Sequence, residues 1–127
     1  MVGMTFAEKI LLHQVHPAKL AADIGAALVS LYFFWEHQLW LGLITHFAPP
    51  VIASALLLRY ARLDGYAAAP VGRYLKRYMT RAIEATRFAG DLVMVAGAWL
   101  HQPWAIALGL AVIAAAWVNG LVREALA

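Results

Sequence analysis

The sequence predicts an all-α integral membrane protein with four transmembrane helices, built as two parallel, duplicated hairpins with short amphipathic interfacial helices before the first and third spans. Three observations predict it. Hydrophobic residues make up 64% of the 127 positions and charged residues only 13%, where soluble domains carry roughly 45–50% and about 25%. A globule of this size has too little interior to bury that much apolar surface. Four apolar runs come near the roughly 20 residues a spanning helix needs. Finally, two turns share one pattern, Trp35-Glu36-His37-Gln38-Leu39-Trp40 and Trp99-Leu100-His101-Gln102-Pro103-Trp104, 64 residues apart.

The elements follow in order. Residues 4–16 set Phe6, Ile10 and Val15 among Glu8, Lys9, His13 and Gln14, a pattern suited to a helix lying at the inner interface. The first span covers residues 17–37 and opens on Pro17, which the first helical turn tolerates. The second covers residues 39–61. Pro49 and Pro50 fall inside it, and each deletes a backbone donor, so a kink or break is expected there. Leu63-Asp64-Gly65 is a turn signal. Residues 70–80 mix Tyr74, Leu75, Tyr78 and Met79 with Arg73, Lys76 and Arg77, a second interfacial helix facing anionic headgroups. The third span covers residues 82–100 and the fourth residues 103–122, again opening on proline. Residues 1–63 thus form a first hairpin unit and residues 64–127 a second. At the same offset Leu11 matches Leu75, Leu57 matches Leu121 and Arg59 matches Arg123. Such units are parallel repeats about an axis along the membrane normal.

Orientation follows from the basic residues. All ten Lys and Arg lie before, between or after the spans on one side, or, like Arg87, near a span's inner start, and the two W-x-H-Q-x-W turns have none. That side is expected to be the cytoplasm, with both termini there, as in a bacterial inner membrane. Trp35, Trp40, Trp99 and Trp104 mark the opposite headgroup level. The N-terminus has no signal-peptide pattern. With no cysteine, disulfides and thiolate metal sites are excluded. The net charge of +3 is spread along span flanks, so nucleic-acid binding is not expected.

The third span opens with Arg81, Glu84, Arg87 and Asp91. At about 100° per residue they share a stripe about 120° wide. Their alternating signs let neighbours three and four apart pair. Asp91 lies some ~13 Å into the span, where a charge must face the bundle interior. The first span carries His16, Lys19, Asp23, Ser30 and His37 on one face. Asp23 and Arg87 are repeat equivalents, so an ion pair across the pseudo-axis is expected. Asp23, Glu84, Arg87 and Asp91, with carbonyls freed by Pro49 and Pro50, are the candidate substrate- or ion-binding residues. His37, His46 and His101 are the candidate metal or haem ligands, but their spacing fits no metal motif, and no cofactor is expected. No phosphate loop, nucleophile elbow or HExxH motif is present, so no catalytic residue is assigned. Gly42, Gly97, Gly109 and Gly120 permit close helix packing.

The expected function is a small transporter, channel or ligand-binding protein with a charged intramembrane site on the cytoplasmic side. The alternatives are a non-catalytic accessory subunit of a membrane complex and an enzyme acting on lipid headgroups. The expected partners are the bilayer, anionic headgroups, and a second copy or a membrane partner subunit.

Overall fold

The computed structural model describes residues 5–126; residues 1–4 and 127, including the start of the first lead-in, lie outside it. The described chain is helical throughout. Seven helices follow in order: α1 (Phe6–His13), α2 (Pro17–Trp35), α3 (Leu39–Tyr60), α4 (Asp64–Ala68), α5 (Pro70–Tyr78), α6 (Arg81–Trp99) and α7 (Pro103–Leu126). Three of them, α2, α3 and α7, are long and apolar enough to cross a membrane. α6 has the same length as α2, but its four charges lower its apolar content.

Local sequence explains the helix starts. Thr5 caps α1 by accepting from the Glu8 N–H at 3.1 Å. Thr80 caps α6 by accepting from the Ile83 N–H at 3.3 Å. His16 caps α2, its Nδ1 accepting from the Ala18 N–H at 3.1 Å, and Pro17 follows in the first turn. Each of these bonds satisfies a donor that the first helical turn leaves open.

The helix ends at the two W-x-H-Q-x-W turns share one device. α2 stops at Trp35, two residues short of the expected His37, because His37 takes a left-handed conformation, φ 58°. The Gln38 N–H then reaches back to the Phe33 carbonyl at 2.8 Å and the His37 N–H to Phe34 at 3.0 Å. α6 ends the same way, with His101 at φ 55°, Gln102 bonded to Gly97 at 2.8 Å and His101 to Ala98 at 3.2 Å. This is a Schellman closure with histidine in the place glycine usually holds. Histidine is enriched among non-glycine residues at positive φ.

Three expectations are corrected. α3 runs through Pro49 and Pro50 without a break. Each missing N–H leaves only one carbonyl without its ladder partner, and the bonds on either side remain. Leu63-Asp64-Gly65 is not a bare turn, because the short helix α4 starts at Asp64. α7 continues past residue 122 to Leu126. Its extension is held by α5: the Tyr74 hydroxyl donates to the Trp117 carbonyl at 2.6 Å, and the Tyr78 hydroxyl donates to Glu124 at 3.1 Å.

α2 pairs with α3, α6 pairs with α7, and the two hairpins meet where α2 touches α6. α1 packs on α3 and α5. The surface is inverted relative to a soluble protein. Leu28, Val51 and Leu121 are 65, 63 and 57% exposed, while Ser30 is fully buried and His46 is 8% exposed. A surface of large apolar side chains, with a few buried polar groups among apolar ones, suits a lipid solvent.

Candidate functional site

Between the hairpins lies an open cleft of about 700 Å³ lined by residues of α2, α3, α6 and α7, with His13 and Gln14 among them. Lys19, Asp23, Glu84, Arg87 and Asp91 all border it, and so does Pro50. The candidate binding residues other than Pro49 are therefore brought together. Their pairing differs from the expectation.

Asp23 and Arg87 form no ion pair. The Lys19 ammonium lies 2.9 Å from Asp23 Oδ1, and it also donates to the Pro50 carbonyl at 3.1 Å. Lys19 sits one turn before Asp23 on the same helix, a spacing that brings the side chains together without any tertiary fit. Arg87 donates to Gln14 Oε1 at 2.6 Å and to Met79 Sδ at 3.4 Å, and its guanidinium lies 4.3 Å from the centre of the Trp117 ring. Nor do the four charges of α6 pair with one another: the ion pairs among the described residues are Lys19–Asp23, His46–Asp91 and Lys76–Glu8.

Asp91 turns inward as expected, but toward a partner the sequence did not reveal. Its Oδ2 lies 2.7 Å from His46 Nε2. The other ring nitrogen, Nδ1, lies 2.8 Å from the Ser30 hydroxyl, which also reaches the Ala27 carbonyl at 3.0 Å. A continuous hydrogen-bonded chain thus runs Ser30–His46–Asp91 across α2, α3 and α6. Ser30 is sealed from solvent and the Asp91 side chain is 22% exposed, so the chain opens to the cavity at its carboxylate end. The same atoms in a serine hydrolase would need an accessible hydroxyl; burial of Ser30 denies one.

His13 forms a separate link at the cavity edge. Its Nδ1–H donates to the Ile10 carbonyl at 2.5 Å, and its Nε2 meets the Ser54 hydroxyl at 2.9 Å. Both nitrogens are used by a neutral ring. Burial lowers its pKa, which the Ile10 carbonyl opposes.

His37 and His101 lie together, far from His46. The Nε2–H of His37 donates to the Trp99 carbonyl at 2.6 Å, and that of His101 donates to the Trp35 carbonyl at 2.5 Å. The rings stack with centres 5.1 Å apart and planes 11° from parallel. Each also lies 4.4 Å from the other turn's indole. Lone pairs of stacked, nearly parallel imidazoles point along separate planes and cannot converge on one ion. Among the described residues no three His, Cys, Asp or Glu side chains cluster in a metal-binding arrangement.

A second cavity, about 790 Å³, is bordered by α5 and α7 near Tyr74, Tyr78 and Glu124. Its tyrosine hydroxyls are engaged by the helix contacts described above. Comparison with family models, with curated proteins and with solved structures finds no match to this chain.

Proposed function

We propose that the chain is a four-span membrane protein that binds a small polar or ionic solute between two duplicated hairpins and carries it across the bilayer. The observation that carries this reading is the charged cleft: Lys19, Asp23, Glu84, Arg87 and Asp91 border about 700 Å³ of open space between the hairpins. A charge at the centre of a spanning helix costs at least roughly 2.5–3.5 kcal/mol. Polar contacts between spans return only about 0.6 kcal/mol on average, so five charged side chains are poor glue. An accessory subunit that used them to lock its helices would pack them densely; here they border open space. A headgroup enzyme would need Arg87 for phosphate, and Arg87 is engaged by Gln14 and Trp117.

The four-span reading draws support from the outer turns. The stacked His37 and His101 rings tie both turns together, so they belong to one membrane face. α6 must then cross, as α2 does, despite its charges. The duplication is supported by element starts: α2 and α6 begin at residues 17 and 81, and α3 and α7 at residues 39 and 103. In this reading the basic ends and both termini face the cytoplasm.

The test is flux. Liposomes containing the purified protein, offered a panel of small inorganic and organic ions, will show protein-dependent uptake that falls at least about tenfold with Asp91→Asn. No uptake across the panel, or uptake indifferent to that substitution, overturns the proposal.

A further inference from the structure

The Ser30–His46–Asp91 chain can change its proton content by one while both ring nitrogens of His46 keep a hydrogen-bond partner. In the protonated state the Ser30 hydroxyl donates to the Ala27 carbonyl, and the His46 imidazolium donates from Nδ1 to Ser30 Oγ and from Nε2 to the Asp91 carboxylate. In the deprotonated state the Ser30 hydroxyl turns to donate to Nδ1, and Nε2–H still donates to Asp91. The 2.8 and 2.7 Å distances serve both states, and the 3.0 Å contact with Ala27 serves the protonated one. A buried polar group that keeps its partner through a change of state avoids the cost of an unmade hydrogen bond.

The charges around the chain decide what this proton competes with. The titratable and charged groups facing it are His13 from α1, Lys19 and Asp23 from α2, and Glu84 and Arg87 from α6; α7 lines the cavity with none. Lys19 is paired with Asp23, and His13 is satisfied as a neutral ring. Arg87 balances one of the remaining carboxylates, Glu84 and Asp91. The lining therefore carries one net negative charge when His46 is neutral and none when it is an imidazolium. Neither Glu84 nor Asp91 has a Lys or Arg partner among the described residues. Asp91 Oδ1 likewise accepts no hydrogen bond there.

The walls define the size and character of the competing cation. A bare metal ion would leave most of the roughly 700 Å³ unfilled, and Phe47, Phe88 and Trp117 line it with aromatic surface. Aromatic faces attract organic cations, most strongly where water is excluded. We infer that this cavity takes a lipophilic organic monocation at Asp91 in exchange for one proton from the His46–Asp91 pair. The inference rests on the binding site proposed above and adds its ligand class and its coupling. On exchange, one N–H bond of the imidazolium breaks, its proton passes to water, and the cation supplies the charge it removed. No redox partner enters.

The experiment uses the full chain in detergent micelles with tetraphenylphosphonium as the probe. Binding is followed by Trp fluorescence, and proton release by a pH indicator in weakly buffered solution. The expected result is proton release on cation binding that approaches one proton per cation as the pH is lowered, with affinity weakening about tenfold per pH unit over that range. Asp91→Asn and His46→Gln abolish the release, and Asp91→Glu restores it; size-exclusion profiles and helical circular dichroism establish that each variant is folded. Absence of binding at alkaline pH, or binding by the wild-type chain without proton release, overturns the inference and needs no variant. Release that persists in folded Asp91→Asn does so too. Because micelles measure no transport, coupled binding without flux in liposomes supports the exchange site and sinks only the transport reading.

Discussion

His13 shows how a single ring can carry a pH dependence for the whole molecule. It sits on α1, outside the spans, with Nδ1–H on the Ile10 carbonyl and Nε2 at the Ser54 hydroxyl. Burial holds its folded pKa below the ordinary 6.5, so folding favours the neutral form. The stability it contributes is complete above about pH 6.5 and is lost as pH falls from there through the folded pKa, where both states are protonated. Thermal melts of the wild-type protein in micelles should fall as pH drops below 6.5, and His13→Gln should flatten that part of the curve. An unchanged slope would remove His13 from the account. The residue scale was also where the sequence was least legible. Periodicity turned Asp91 inward correctly, but it could not supply His46, which lies 45 residues earlier on another helix. Equal depth suggested Asp23 for Arg87. Equal depth does not fix the angle at which two helices face each other, and Lys19 was already one turn from Asp23.

Between elements, glycines set how closely α6 and α7 approach. A Cβ placed on Gly109 would lie 2.5 Å from the Gly90 carbonyl oxygen and 2.6 Å from the Met94 nitrogen. One on Gly90 would lie 2.9 Å from the Gly109 carbonyl. These neighbours are backbone and cannot swing aside. Gly109→Ala should therefore destabilise the α6–α7 hairpin by about 1–3 kcal/mol, the usual cost of overpacking. Gly25 on α2 has nothing within 4 Å of its added Cβ, so Gly25→Ala should be neutral, or stabilising by up to about 1 kcal/mol through helix propensity. Comparing their unfolding in a mild-to-denaturing detergent series reads both; equal effects would mean the close approach is not a constraint. Helix existence was well marked by apolar runs and by prolines at residues 17 and 103. The prolines at 49 and 50 do not break the helix, because its continuity depends on the bonds that remain. Gly109 was readable as a small packing residue. Its partner Gly90 was hidden in the charged half of α6, where Asp91 and Arg87 dominate the pattern.

At the scale of the whole molecule, the question is whether α6 crosses the bilayer. Its composition argues against crossing, since three or more of Arg81, Glu84, Arg87 and Asp91 fall in any window of span length. Its tertiary setting argues for it. Arg87 lies over Trp117, Asp91 meets His46, and neither faces outward, while the exposed Arg81 and Glu84 sit in the first turn, within reach of the headgroup level. The cross-turn bonds from His37 to Trp99 and from His101 to Trp35 then put both outer turns on one face. A three-span chain would put residues 38 and 102 on opposite faces and would have to break those bonds. The natural absence of cysteine makes the distinction direct. Single cysteines at Gln38→Cys and Gln102→Cys, both exposed positions, should react with a membrane-impermeant maleimide added to intact cells. Asp64→Cys, exposed on the basic side, should react only after the cells are opened. Labelling at 38 without 102 would return α6 to the membrane surface, dissolve the charged cavity as an intramembrane site, and take the exchange chemistry with it. Labelling of residue 64 from outside would keep the bundle but reverse its direction, against the placement of all ten basic residues.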